Sequence, residues 1–168
     1  MKYLLFIPSF LLLINCVDKT DNNTDSVIGK AFQNFKKFKV LSAYTKISDT
    51  IIYDNNIEAK HGVLHLENSK QNLILFNRIS RDSSAKRIYK VLDTLVILKR
   101  DDSTFVTIGY CEINDESDEN LIAVVKKTDS LKIKDIAEVW RANTASEKIE
   151  RLNHTEGIDC FSERFEGY

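Results

Sequence analysis

From Val40 to Ile113 the chain alternates short runs of β-branched, aliphatic and aromatic residues with polar turn segments, and this alternation most constrains its fold. Ile51-Ile52-Tyr53 runs into Asp54-Asn55-Asn56, a turn by residue type. Val63-Leu64-His65-Leu66 and Leu73-Ile74-Leu75-Phe76 follow, separated by a polar stretch over residues 67–72. A loop at Ser80-Arg81-Asp82-Ser83-Ser84 leads into a long β-branched and aromatic run over residues 88–98. Lys99-Arg100-Asp101-Asp102-Ser103 then reads as a hairpin connection into one strand over residues 104–113. In that strand Val106, Ile108 and Tyr110 share one face, and Phe105, Thr107, Gly109 and Cys111 the other. Gly109 marks a bulge or the close approach of another element. Leu121-Ile122-Ala123-Val124-Val125 reads as a buried strand by its β-branched content, with a helix opened by Ser117 as the alternative, and Lys148-Ile149-Glu150-Arg151-Leu152 reads as a last strand before the tail.

Two segments carry helical spacing instead. Ile28, Phe32, Phe35 and Phe38 form one apolar stripe, with Lys30, Lys36, Lys37 and Lys39 elsewhere around the wheel. This predicts an amphipathic, basic first helix with its stripe on the core and its lysines in solvent; contact with an anionic membrane surface is the alternative. Ile133, Ile136, Ala137 and Trp140 stand at i, i+3, i+4 and i+7 and predict a second helix. Asp129 or Ser130 would cap it and Asn143 would end it. The expected fold class is therefore α+β: mainly antiparallel β-sheet with an N-terminal helix and a helix near the C-terminus.

The N-terminus supplies an address. Lys2 precedes a short apolar run through Leu13-Ile14, long enough for a signal-peptide core and too short to span a bilayer. The run ends in Leu13-Ile14-Asn15-Cys16, which resembles the lipobox of bacterial lipoproteins, with Asn15 where that class usually has a smaller residue. The resemblance implies cleavage before Cys16, a lipid on its sulfur and membrane attachment through that lipid. Residues 1–15 would be the signal peptide, 16–27 the lipidated cysteine and a polar spacer, and 28–168 a single globular domain. Val139-Trp140-Arg141-Ala142-Asn143 and Gly157-Ile158-Asp159-Cys160 resemble the C-terminal part of small uncharacterised lipoproteins of Bacteroidetes-type bacteria, a likeness that carries no activity with it.

Setting Cys16 aside leaves Cys111 and Cys160, and an even pair in an oxidising compartment favours a disulfide. With 24 basic and 25 acidic side chains, the chain offers no electrostatic reason to bind nucleic acid. Signatures of nucleotide binding, of a nucleophile elbow and of a zinc-protease helix are missing from the sequence. No cofactor is expected. His61, Val63, His65 and Glu67 share one face if residues 60–67 form a strand, yet i and i+4 on a strand stand about 13 Å apart. That is too far for His61 and His65 to share one ion comfortably, and both read as solvent-facing. The acidic segment over residues 114–120 lacks calcium-loop spacing and reads as a surface turn. His154 near Cys160 makes a nucleophile pair only if that thiol is free. Trp140 fits the apolar stripe and is expected to be buried. The expected function is a lipid-anchored cell-envelope protein without catalytic activity that binds another macromolecule. The alternative is an envelope lipoprotein that binds a metal or a small ligand.

Overall fold

The computed structural model describes residues 24–53 and 59–162. The expected signal peptide, Cys16, the spacer up to residue 23 and the Asp54-Asn55-Asn56 turn lie outside those residues. In chain order the strands are β1 (Ala31–Phe32), β2 (Thr45–Ile52), β3 (His61–Glu67), β4 (Gln71–Arg81) and β5 (Arg87–Leu98). They continue with β6 (Thr104–Ile108), β7 (Cys111–Ile113), β8 (Glu116–Ser117), β9 (Leu121–Lys126) and β10 (Lys132–Ile133). The last three are β11 (Ile136–Asn143), β12 (Lys148–Arg151) and β13 (Ile158–Phe161). Every strand pairing among the described residues is antiparallel. Sheet 1 has the order β1-β5-β4-β3-β2, sheet 2 the order β12-β11-β9-β6, and sheet 3 the order β10-β13-β7-β8.

The sheets stack through three apolar layers. The inner face of sheet 1, with Val63, Ile74 and Phe76, packs on Val106, Ile122, Val124 and Trp140 of sheet 2. The outer face of sheet 1, with Leu66, Leu73 and Leu75, is covered by an N-terminal strap over residues 24–44. The second face of sheet 2, with Leu121, Ala123, Val125 and Val139, packs on Cys111, Ile133, Ile158 and Cys160 of sheet 3. In β9, successive residues therefore point into two different cores. A strand buried on both faces reads as a continuous apolar run, as residues 121–125 do.

The fold is mainly antiparallel β and not the expected α+β. Its helical segments among the described residues are three 3-10 turns, of four, three and three residues. The expected first helix is the strap. Its apolar residues do face the core: Phe32 is buried, Phe35 and Phe38 are half-buried, and the Phe32 ring lies 5.6 Å from that of Tyr89. Ile28, the fourth residue of the expected stripe, is instead exposed, at 39%. The backbone differs as well. Gly29 has φ +81°, a conformation outside the helical region and open to glycine. Its N–H donates to the Val91 carbonyl at 2.8 Å, and the Val91 N–H donates to the Lys30 carbonyl at 3.0 Å. Pairing with β5 replaces the hydrogen bonds a helix would have made.

The expected second helix is β10 and β11. β11 is held between β9 and β12, with Trp140 and Ala142 facing one core and Val139 the other. A register shift between Ile136 and Glu138 alters the phase again. Apolar residues on both faces plus a bulge produced a 3.6-residue spacing by coincidence. Trp140 is buried, as expected, at 8% exposure.

Two connections also differ from the expectation. Residues 99–103 do not close a hairpin, because β5 lies in sheet 1 and β6 in sheet 2. The single strand expected over residues 104–113 is split into β6 and β7, which lie in different sheets. Gly109 stands at the split with φ +72°, and a Cβ there would lie 2.7 Å from Oγ1 of Thr50 in β2. The close approach expected at this glycine is what the structure shows. Cys111 and Cys160 are directly paired across β7 and β13 and form the expected disulfide, their Cα atoms 4.0 Å apart. The Phe161 N–H donates to the Tyr110 carbonyl at 2.8 Å, which makes the cysteine pair a non-hydrogen-bonded one, where facing Cα atoms come closest.

Candidate functional site

A cleft of about 440 Å³ opens at one end of the stack, between sheets 1 and 2. Its inner part is made by the periodicity of β3 and β4. His65 alternates with Leu64 and Leu66, and Asn72 with Leu73, so both polar side chains enter the space between the sheets. Val106 and Val124 of sheet 2, with Ile97 of β5, supply apolar surface around them. The outer part is charged. Glu67 and Lys99 form an ion pair at 2.7 Å, and Asp101, Asp102 and Lys127 line the same opening. Two exposed apolar side chains belong to it as well: Ile47, beside the register shift in β2, is 50% exposed, and Leu98, at the end of β5, is 65% exposed.

His65 is the unusual group of this cleft. It is 2% exposed, and its Nε2 lies 2.9 Å from Oδ1 of Asn72. With the amide oxygen as acceptor, Nε2 carries the proton and Nδ1 presents a lone pair. Nδ1 is buried and makes no hydrogen bond among the described residues. Burial pushes the His65 pKa down, opposed by the Asn72 hydrogen bond and the Glu67 carboxylate and aided by the Lys99 charge. The imidazole is therefore neutral at pH 7, and its side-chain hydrogen-bond partner among the described residues is the Asn72 amide.

This burial has a measurable consequence. Between pH 6.5 and the lower folded-state pKa, the unfolded chain binds a proton at His65 that the folded chain refuses. Stability is expected to fall as pH drops below about 6.5, with a slope no steeper than about 1.4 kcal/mol per pH unit for this one group. Urea unfolding of His65→Gln, which keeps a hydrogen-bonding head for Asn72, should show a flatter profile between pH 7 and 5. Identical pH profiles for the two proteins would show that His65 protonates freely in the folded state.

The expectation that His61 and His65 face solvent is corrected. Both lie on the inner face of β3 because that face meets sheet 2. Their separation along the strand holds: His61 packs on the Phe76 ring, 5.6 Å between centroids, with Nε2 3.6 Å from Glu147, away from the cleft. Arg78 also binds Glu147, through Nε at 3.1 Å and through Nη2, and the guanidinium is the main reason the Glu147 pKa is lowered. No group of three or more His, Cys, Asp or Glu side chains positioned for a metal occurs among the described residues.

The other sequence candidates have structural occupations. Asn114 and Asp115 both take positive φ values, 52° and 66°, and form the two-residue turn of the β7–β8 hairpin. Asp118 accepts from the backbone and side chain of Asn120 at 3.0 and 2.9 Å and pairs with Arg141 at 2.6 Å. On sheet 3 the Lys132 ammonium is gathered by Glu112, Asp115 at 3.1 Å and Asp159 at 3.0 Å, and these carboxylates push its pKa upward, Glu112 first. Cys160 is consumed by the disulfide, so the His154–Cys160 nucleophile does not exist. Sequence reasoning missed Asn72, Lys127, Ile47 and Leu98 as members of one site. The available signal was that Asn72 falls in phase with Ile74 and Phe76, opposite Leu73 and Leu75.

Compared with protein-family models, curated proteins and solved structures, the chain gives no match.

Proposed function

We propose that this is a lipid-anchored cell-envelope protein, tethered through Cys16, that acts by binding another macromolecule and has no catalytic activity of its own. The disulfide supports an oxidising compartment, and the lipobox-like Leu13-Ile14-Asn15-Cys16 supports the anchor. The observation that carries the binding role is the mouth of the cleft. Ile47 and Leu98 stand exposed at the edge of a concave apolar space with a mixed-charge rim, the arrangement in which an inserted apolar side chain of a partner becomes a hot spot.

The test has two arms. Cys16→Ala is expected to move the protein from the membrane to the soluble fraction; unchanged fractionation would refute the anchor. A photo-crosslinker at Leu98 is expected to capture one protein in near-equal amount in living cells, whereas the same group at Ser84, in the β4–β5 loop, captures none. Equal capture at the two positions, or hydrolase or transferase turnover by the purified protein, would refute the binding role. A second reading, a small-ligand-binding envelope lipoprotein, is favoured by the cleft volume and by the unpartnered Nδ1 of His65. It predicts a small molecule co-purifying with the protein and lost on His65→Leu.

A further inference from the structure

The layers of this molecule are unequally charged. Between residues 27 and 46 the chain carries Lys30, Lys36, Lys37, Lys39 and Lys46 and no Asp or Glu, although its formal net charge is −1. All five are exposed, on the strap that covers the outer face of sheet 1 and on the first residues of β2. On the far side of the stack, residues 110–120 carry Glu112, Asp115, Glu116, Asp118 and Glu119 and no Lys or Arg. They belong to β7, β8 and the loops of sheet 3, where Lys132 pairs with Glu112 and Asp115 and Arg141 pairs with Asp118, so Glu116 and Glu119 are the carboxylates of this segment without an ion pair among the described residues. Lys36 is turned back onto the carbonyls of Ser42, at 3.1 Å, and Tyr44, and Lys46 pairs with Asp49. Lys30, Lys37 and Lys39 are the strap cations without an ion pair among the described residues.

We propose that the strap is a docking surface for anionic lipid headgroups, so that the domain lies on its membrane with sheet 3 outward. The tether part of the argument rests on the lipid-anchored reading; the charge part does not. Seven residues lie between Cys16 and Thr24, so the eight Cα-to-Cα steps reach roughly 28 Å when fully extended. Thr24 and Val27 are buried in the strap layer, so the tether enters on the basic face and holds that face nearest the bilayer. The tether carries Asp18 and Asp21 against Lys19, and Asp25 follows at the start of the strap, which leaves Lys30, Lys37 and Lys39 as the source of attraction. An anionic surface attracts juxtamembrane lysines within about a Debye length and repels the acidic side of the stack, so both ends of the charge distribution favour one orientation.

The test uses the protein purified from membranes, mixed with vesicles of phosphatidylcholine alone or with a third of phosphatidylglycerol. A fluorophore is placed at Ala43→Cys in the strap or at Ser117→Cys in sheet 3. Flotation reads the anchor, and quenching by a soluble quencher reads the orientation. The strap label is expected to be protected several-fold in the anionic vesicles only, with protection lost in high salt and in the Lys30→Gln, Lys37→Gln, Lys39→Gln triple variant. The sheet 3 label should be quenched equally in both vesicle types. Flotation with both vesicles but no difference in strap protection would overturn the docking surface and leave the anchor standing. Flotation with anionic vesicles only, abolished in the triple variant, would support the docking surface while refuting the anchor. Flotation with neither would overturn both. Salt-insensitive protection in phosphatidylcholine alone would mark a second copy of the chain on the strap and overturn the lipid proposal.

Discussion

Removing the Cys111–Cys160 bridge is expected to lower the unfolding free energy by about 4 kcal/mol, the chain-entropy value for a loop of roughly fifty residues. The two cysteines are 49 positions apart, and the segment between them includes five strands of sheets 2 and 3 in full, β8 to β12. Sheet 3 depends on this link because its strands are only two to four residues long, and such short strands are marginal alone. Its other supports include the apolar layer with Ile133 and Ile158 against sheet 2 and the Asp118–Arg141 pair. The measurement is a thermal melt of Cys111→Ala, Cys160→Ala against the wild type, where a drop on the order of 10 °C is expected for a domain of this size. Two titratable thiols in the native wild-type protein, or an unchanged melt, would refute the prediction.

Phe76→Ala is expected to cost about 3–5 kcal/mol. The ring is fully buried in the layer between sheets 1 and 2, at 0% exposure, and stands beside the His61 ring. Truncation leaves a cavity that two hydrogen-bonded sheets cannot close by moving together, because each is also packed on its other face. Urea unfolding should show a lower midpoint with an unchanged slope. A cost below about 1 kcal/mol would mean that this layer is loosely packed and that the strap and sheet 3 hold the fold. Either loss is a large share of the 5–15 kcal/mol typical of a domain.

The surface chemistry of the molecule was legible in the chain to a useful degree. Phe32, Phe35 and Phe38 were correctly assigned to a core-facing stripe with exposed lysines, although the backbone that presents them is a pair of 3-10 turns and a two-residue strand. The cleft was not legible, since no local pattern reports which sheet will cover a strand. His65 looked like a solvent-facing histidine because a half-buried strand shows the same alternation whichever face is covered.

What the sequence determined by itself is local: β-branched alternation makes strands 2 to 6 extended, Gly109 marks a bulge or a close approach, and two remaining cysteines favour one disulfide. Tertiary structure decided the rest. It turned residues 133–140 into strands, because β9 and β12 satisfy the backbone of β11 and bury both its faces, and two-sided burial erases the period-2 signal. It sent β5 and β6 into different sheets, which brings Asn72 of β4 and Lys127 beyond β9 to one cleft. Those contacts join residues far apart in the chain, and their free energy comes from burying faces against each other, which no single segment encodes.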